Sequence, residues 1–189
     1  MRDVAEKYGY EPIRYLMISS SYRSPINYST DIIEQCKASL TRLYTCRDSL
    51  DFELKNSAQG ELDPDVEAQL DSRIEQFNTA LDDDLNTADG IAAVFDSVRD
   101  INSSVLGVNA SKETIEYAIN VFDTLTGVLG LVYNRKADDS DAEIDALIEE
   151  RTKARAEKNW ALADKIRDEL KAKGIVLEDT PKGVKWHRE

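Results

Sequence analysis

Four apolar stripes constrain this chain more than any other feature. One runs through Ile32, Ile33, Cys36, Leu40, Leu43, Tyr44 and Leu50, and a second through Val66, Leu70, Ile74, Phe77 and Leu81. The third holds Ile91, Val94, Phe95, Val98 and Ile101, and the fourth Ile115, Ile119, Phe122, Leu125 and Leu129. Recurrence every three to four residues places each set on one side of an α-helix, which turns once in about 3.6 residues. Each stripe needs an apolar partner, so four in succession with modest connections predict an antiparallel helical bundle over residues 31–137. Side chains able to accept a hydrogen bond from orphan backbone N–H groups stand at the expected helix starts: Asp31, Asp63 before Pro64, Asn86 or Thr87, and Ser111. Upstream, "EPIRYLMIS" predicts a short helix with Pro12 in its first turn, and "SYRSPINYS" a turn, because Pro25 restricts Ser24 to extended geometry.

The pattern changes near residue 134. "NRKADDSD" is polar and aperiodic and reads as a linker. Ser140 and Glu143 have the spacing of a capping box, ahead of a short helix through Ile144, Leu147 and Ile148 that ends near Glu157. Asn159 caps a second helix lined by Ala163, Ile166 and Leu170, which Gly174 stops. Ile175–Leu177 then reads as a strand, Asp179–Gly183 as a turn and Val184–Trp186 as the returning strand. A two-stranded ribbon is marginal alone, so it is expected to pack on the two helices before it. The expected fold is mainly α, with a helical bundle followed by a small α+β module of two helices and a β-hairpin over 138–189.

Charge supports that division. The net charge is −13, but residues 142–189 hold 11 basic and 11 acidic side chains, so the whole excess precedes Ala142. A strongly acidic bundle speaks against nucleic-acid binding along its whole surface, whereas the last quarter of the chain is neutral. No apolar run is long enough for a transmembrane helix, and "MRDVAEKYGY" lacks the apolar stretch of a secretory signal, so the cytosol is expected. Cys36 and Cys46, ten residues apart on one helix, would stand about 15 Å apart, too far for a disulfide. Two unpaired thiols fit a reducing compartment.

Catalytic signals are weak. There is no glycine-rich phosphate loop, and no Cys or His stands at metal-ligand spacing. His187, the single histidine, has no evident nucleophile beside it and reads as a solvated tail residue. Asp82, Asp83 and Asp84 would point three ways from a helix and read as a solvated charge run rather than a metal site. No catalytic and no metal-binding residue is expected here.

"RTKARAEKNWALADKIRDELKAKG" carries the chemistry that remains, with basic residues along two helices and Trp160 at a helix start. Unpaired RNA bases are read by stacking on aromatic or guanidinium planes and by hydrogen bonds to exposed base edges. Guanine offers two adjacent N–H donors to a carboxylate, and its O6 and N7 accept from an arginine. Arg155, Trp160, Asp164 and Asp179 supply those groups. The alternative is that Trp160 and Trp186 are core aromatics and the charges pair along the helices.

Three stretches also resemble one family. "RDVAEKYGYEPIRYLMISSSYRSPINYS" resembles the segment after the KMSKS loop of cysteinyl-tRNA synthetases, "ALDDDLNTADGIAAVFDSVRDIN" their bundle, and "WALADKIRDELKAKGIVLEDTPKGVKW" their C-terminal anticodon-binding end. Ser21 stands where that family usually has His, and Ala88 where it usually has Pro. The resemblance implies a class Ia anticodon-binding type of bundle. It further implies a stem-contact-like segment over 1–30 and an anticodon-binding module over 138–189. The implied partners are tRNA(Cys) and an N-terminal catalytic domain, with no membrane.

The family activates cysteine with ATP and transfers it to tRNA. Its HIGH-type motif, KMSKS loop and zinc ligands belong to the catalytic domain, so the resemblance places ATP and zinc there and no cofactor in this chain. The chain is expected to be inactive alone. Arg155, Trp160, Asp164 and Asp179 are the implied anticodon-binding residues. Tyr22, Arg23 and Ser24 match the stem-contact stretch, with a plain turn as the alternative to tRNA contact, and Lys153, Lys158, Lys165, Lys171, Lys182 and Lys185 are candidates for RNA phosphates. The competing reading is a structural or protein-interaction helical bundle without RNA binding. A third, the related cysteine-ligating enzyme of mycothiol synthesis, lacks an anticodon module, and Ala142–Glu189 counts against it.

Overall fold

Two short helices, α1 (Arg2–Tyr8) and α2 (Glu11–Ile18), lead into four long ones: α3 (Thr30–Asn56), α4 (Pro64–Asp82), α5 (Thr87–Ser104) and α6 (Lys112–Val128). They are followed by α7 (Asp139–Ala156), α8 (Trp160–Ala172) and the strands β1 (Ile175–Thr180) and β2 (Gly183–Arg188). The computed structural model describes residues 2–134, 139–180 and 183–188. The chain divides into two units, Met1–Tyr133 and Asn134–Glu189.

In the first unit all four stripes reach one core. Ile33, Leu43, Leu50, Leu70, Ile101, Ile115, Phe122 and Leu125 are essentially inaccessible to solvent, and Ile32, Tyr44, Ile74, Leu81, Phe95 and Ile119 pack against them half-buried. Polar contacts fix the direction of α4 and α5. Ser104 donates to Gln69 (3.1 Å), Arg73 pairs with Asp100 (2.7 Å) and Gln76 donates to Asp96 (3.1 Å). As one helix is followed forwards its partners run backwards, so the pair is antiparallel. Gly60 in the α3–α4 connection lets that loop lie on the start of α6, where a Cβ would stand 2.8 Å from the Ser111 Cβ. Cys36 and Cys46 are both buried on α3, and no disulfide joins them.

The caps differ from expectation at one place. Asp63, Asn86, Ser111 and Asn159 each accept from a backbone N–H two or three residues on, as their positions predict. Asp31, however, lies inside the first turn of α3, and the cap is Ser29, whose Oγ accepts from the Ile32 N–H at 3.2 Å. Ser29 has extended backbone (φ −147°, ψ 162°), which lets its side chain fold back over the helix start. The α1 helix was not foreseen. At seven residues it shows too little of a period, although Ala5 is buried and Val4 and Tyr8 pack on the core.

Glu11 and Arg47 are among the buried polar residues of the first unit. Glu11 on α2 accepts from Tyr44 on α3 (2.8 Å) and from the Val132 backbone N–H, tying three segments together. Arg47 on α3 forks onto both Asp123 oxygens (2.8 and 3.0 Å) and also bonds Asp51. Charges removed from water require this kind of satisfaction.

The second unit has its own small core of Ile144, Ile148, Ile166, Leu170 and Ile175, with Leu162, Leu177, Val184 and Trp186 packed around it. The strands pair antiparallel from Ile175↔Arg188 to Thr180↔Gly183. Both are longer than expected, β1 running on to Thr180 and β2 beginning at Gly183, and Pro181 and Lys182 of the expected turn lie outside the described residues. Residues 135–138 of the expected linker also lie outside them, as do the side chains of Ser140 and Glu143 in the expected capping box. Asp139–Asp141, expected in the linker, are already helical as the start of α7.

Candidate nucleic-acid interface

The turn between α7 and α8 sets the geometry of this surface. At the end of α7 the Lys158 N–H donates to the Arg155 carbonyl (3.1 Å) and the Asn159 N–H to the Ala154 carbonyl (2.8 Å). This closure needs a left-handed residue, and Lys158 supplies it at φ 59°. Asn159 then caps α8 through its side-chain oxygen. In five residues the chain passes from Arg155, in the last turn of α7, to Trp160, the first residue of α8.

Trp160 is 58% exposed and lies outside the core. Asp164 follows at i+4, on the same face of α8, and is also exposed, with Arg167 as its ion-pair partner at 3.3 Å. The inward face of the helix is taken by Ala163, Ile166 and Leu170. The two tryptophans therefore differ. Trp186, on β2, is half-buried against the small core, and its indole N–H donates to Asp145 on α7 at 3.0 Å.

Arg155 and Asp179 do meet, and sequence reasoning missed the third member of their cluster. Arg151, one turn before Arg155 on α7, forks onto Asp179 through Nη1 (2.9 Å to Oδ1) and Nη2 (3.2 Å to Oδ2). The Arg155 Nη1 donates to Oδ2 at 2.7 Å. Only 8% of the Arg151 side chain is exposed, and its Nε is buried without a hydrogen-bond partner among the described residues. The two guanidinium groups, Arg151 first, hold the Asp179 carboxyl down to about 2. The signal was legible in part: Arg151 and Arg155 stand at i, i+4 and must share a helix face.

Asp179 is also not where it was expected. It lies within β1, opposite Val184, rather than at the start of the turn. Its two oxygens accept three guanidinium N–H bonds, so the cluster as a whole carries one excess positive charge. It presents donors rather than an open acceptor. Arg155 spends one N–H on Asp179, which leaves its other donors available at a half-exposed position. Among the described residues no hydrogen bond or ion pair joins the Trp160–Asp164 face to this cluster.

Lys153, Lys158, Lys165 and Lys171 are exposed and have no ion pair among the described residues. Lys182 lies outside those residues, as do the side chains of Lys185 and His187. In the first unit Tyr22 and Arg23 are exposed, and Arg23 is paired with Asp84 at 2.7 Å.

Comparison with protein families decides what this surface belongs to. Residues 76–134 match the model of the DALR domain, and residues 137–186 match that of the cysteinyl-tRNA ligase anticodon binding domain. The chain belongs to the cysteinyl-tRNA synthetase family. It carries the C-terminal part of such an enzyme, and its function is recognition of a tRNA anticodon. The boundary between the two matches falls where the structure passes from its first unit to its second. In this cysteinyl-tRNA synthetase part the α7–α8 turn, with Arg155 and Trp160 at its two ends, lies wholly inside the matched anticodon-binding domain.

Proposed function

We propose that this protein binds tRNA(Cys) and reads its anticodon through Arg155, Trp160 and Asp164, with Asp179 and Arg151 as positioning residues. The observation that carries the reading is the cationic Arg151–Arg155–Asp179 cluster on the side of the helix turn whose other end bears the exposed Trp160. Arg155, fixed by Asp179, offers N–H groups to acceptor atoms of a base edge. Asp164 offers a carboxylate to base N–H donors, exchanging Arg167 for the base. Trp160 offers a stacking face at the start of α8. Lys153, Lys158, Lys165 and Lys171 take backbone phosphates, which makes binding salt-dependent.

The aminoacylation itself, cysteine joined to tRNA(Cys) with ATP, we assign to the catalytic part of the family, the expected partner of this chain. Among the described residues no three His, Cys, Asp or Glu side chains are grouped to hold a metal ion. Among them, too, no helix is long and apolar enough to cross a membrane. The cytoplasm, where translation is supplied with aminoacyl-tRNA, is the proposed location.

The test is a filter-binding titration at low salt with tRNA(Cys) and with the same tRNA carrying altered anticodon bases. Removing a stacking aromatic or a base-edge contact costs about 1–3 kcal/mol. Arg155→Ala, Trp160→Ala and Asp164→Ala should each weaken cognate binding by roughly tenfold or more and leave the altered tRNA almost unaffected. Equal binding by wild type and all three variants would refute the assignment.

A further inference from the structure

The run Asp82–Asp84 is more than a solvated patch. Asp82 ends α4, and the chain then reverses through Asp84 and Leu85, both at φ 55°, a left-handed conformation that residues with a Cβ adopt only against steric cost. The reversal is pinned by the Leu85 N–H on the Leu81 carbonyl and the Asn86 N–H on the Ala80 carbonyl, each at 3.1 Å. It swings the Asp84 carboxylate away from α4 and onto Tyr22 and Arg23, more than 60 positions earlier. The Tyr22 hydroxyl donates to both Asp84 oxygens (3.0 and 3.1 Å), and the Arg23 Nη2 reaches Oδ2 at 2.7 Å. Arg23 closes the triangle itself: its Nε donates to the Tyr22 hydroxyl at 2.9 Å, and its guanidinium lies 5.3 Å from the centre of the Tyr22 ring.

Stability does not account for this arrangement. All three side chains are more than half exposed, and exposed ion pairs contribute little to folding. The strained backbone at Asp84 and Leu85 is therefore not repaid by burial. What the triangle does achieve is order: a long arginine and a tyrosine on a surface turn are held as one unit. The Arg23 Nη1 makes no hydrogen bond or ion pair among the described residues, and Tyr22 stays exposed.

We propose that Asp84 is a positioning residue for tRNA recognition, holding Tyr22 and Arg23 in the geometry in which they meet the RNA backbone. This rests on the reading of the chain as a tRNA-binding part of the synthetase, and it extends the contact surface beyond the anticodon module. Pre-ordered donors lose less side-chain freedom on binding than free ones do. The α4–α5 junction thereby sets the conformation of the turn that follows α2.

The sign of one mutation separates positioning from plain electrostatics. A carboxylate near RNA phosphates repels them, so if Asp84 only adds negative charge, Asp84→Ala tightens tRNA binding. Positioning predicts the opposite. We expect Asp84→Ala to weaken tRNA(Cys) binding about five- to twentyfold, Arg23→Ala to do the same, and the double variant to be no worse than either single one. Asp84→Asn, which keeps an acceptor for the Tyr22 hydroxyl, should recover part of the loss. Melting temperatures of all variants should stay close to wild type. In nuclease footprinting, Asp84→Ala should lose protection outside the anticodon arm while anticodon protection persists.

Unchanged or tighter binding by Asp84→Ala overturns the proposal and leaves anticodon reading intact, and so does a loss of affinity that tracks a loss of melting temperature. Failure of the wild-type chain to bind tRNA(Cys) at low salt overturns both together.

Discussion

Replacing Asp179 with asparagine tests how the second unit is held. The variant keeps the shape of the side chain but removes the charge that two guanidinium groups share and turns an NH2 toward them. Depression of the carboxyl from its usual 3.8 to about 2 corresponds to roughly 2.4 kcal/mol at about 1.4 kcal/mol per pH unit. Half of the Asp179 side chain faces solvent, so screening reduces the contribution to about 1 kcal/mol. For a unit of this size that is a large share of the total stability. Both tryptophans of the chain, Trp160 and Trp186, belong to the second unit, so fluorescence excited at the indole edge follows that unit alone. At pH 7 the urea midpoint of Asp179→Asn should fall by about 0.5–1 M, given a slope near 1 kcal/mol per molar urea. The carboxyl is depressed in the folded chain, so its contribution is complete above the unfolded value near 4 and is lost as pH falls toward 2. The gap between wild type and variant should close over that interval. Coincident transitions at pH 7, or a gap that persists at pH 2, would refute the account.

Two further expectations concern the first unit, and both are read by circular dichroism during urea unfolding. Ser29→Ala should lower stability by about 1 kcal/mol through loss of the α3 cap, while Asp31→Ala should cost clearly less, about 0.5 kcal/mol or under, because Asp31 acts only on the helix dipole. Phe122→Ala, at a fully buried position, should cost roughly 3–5 kcal/mol from lost transfer energy and the cavity left behind; a loss below about 1 kcal/mol would mean that the four stripes do not share one core.

The bundle was legible because its signal is local and repeated. A stripe such as Val66–Leu70–Ile74–Phe77–Leu81 names a helix, its buried face and its need for partners without reference to any other part of the chain. Caps were legible for the same reason, and the exception is instructive. Ser29 and Asp31 are both competent cap residues two positions apart, and the choice between them rests on backbone angles that composition does not reveal. In the second unit the helices, the stop at Gly174 and the hairpin follow from pattern, whereas strand length depended on how far the pairing runs, from Ile175↔Arg188 to Thr180↔Gly183.

The candidate site divides along the same line. That Arg155, Trp160, Asp164 and Asp179 suit base recognition followed from their functional groups, and the i, i+4 relation of Trp160 and Asp164 from helical geometry. Sequence order could not show that Arg151 lies beneath Asp179, that the carboxylate is already occupied by two arginines, or that Asp84 reaches back to Tyr22 and Arg23. Periodicity is a property of neighbours a few residues apart, so one strand of text contains it. Ion pairs across 24 and 28 residues and a hydrogen bond across 62 depend on where helices and strands come to rest against one another, and only the folded chain determines which groups meet.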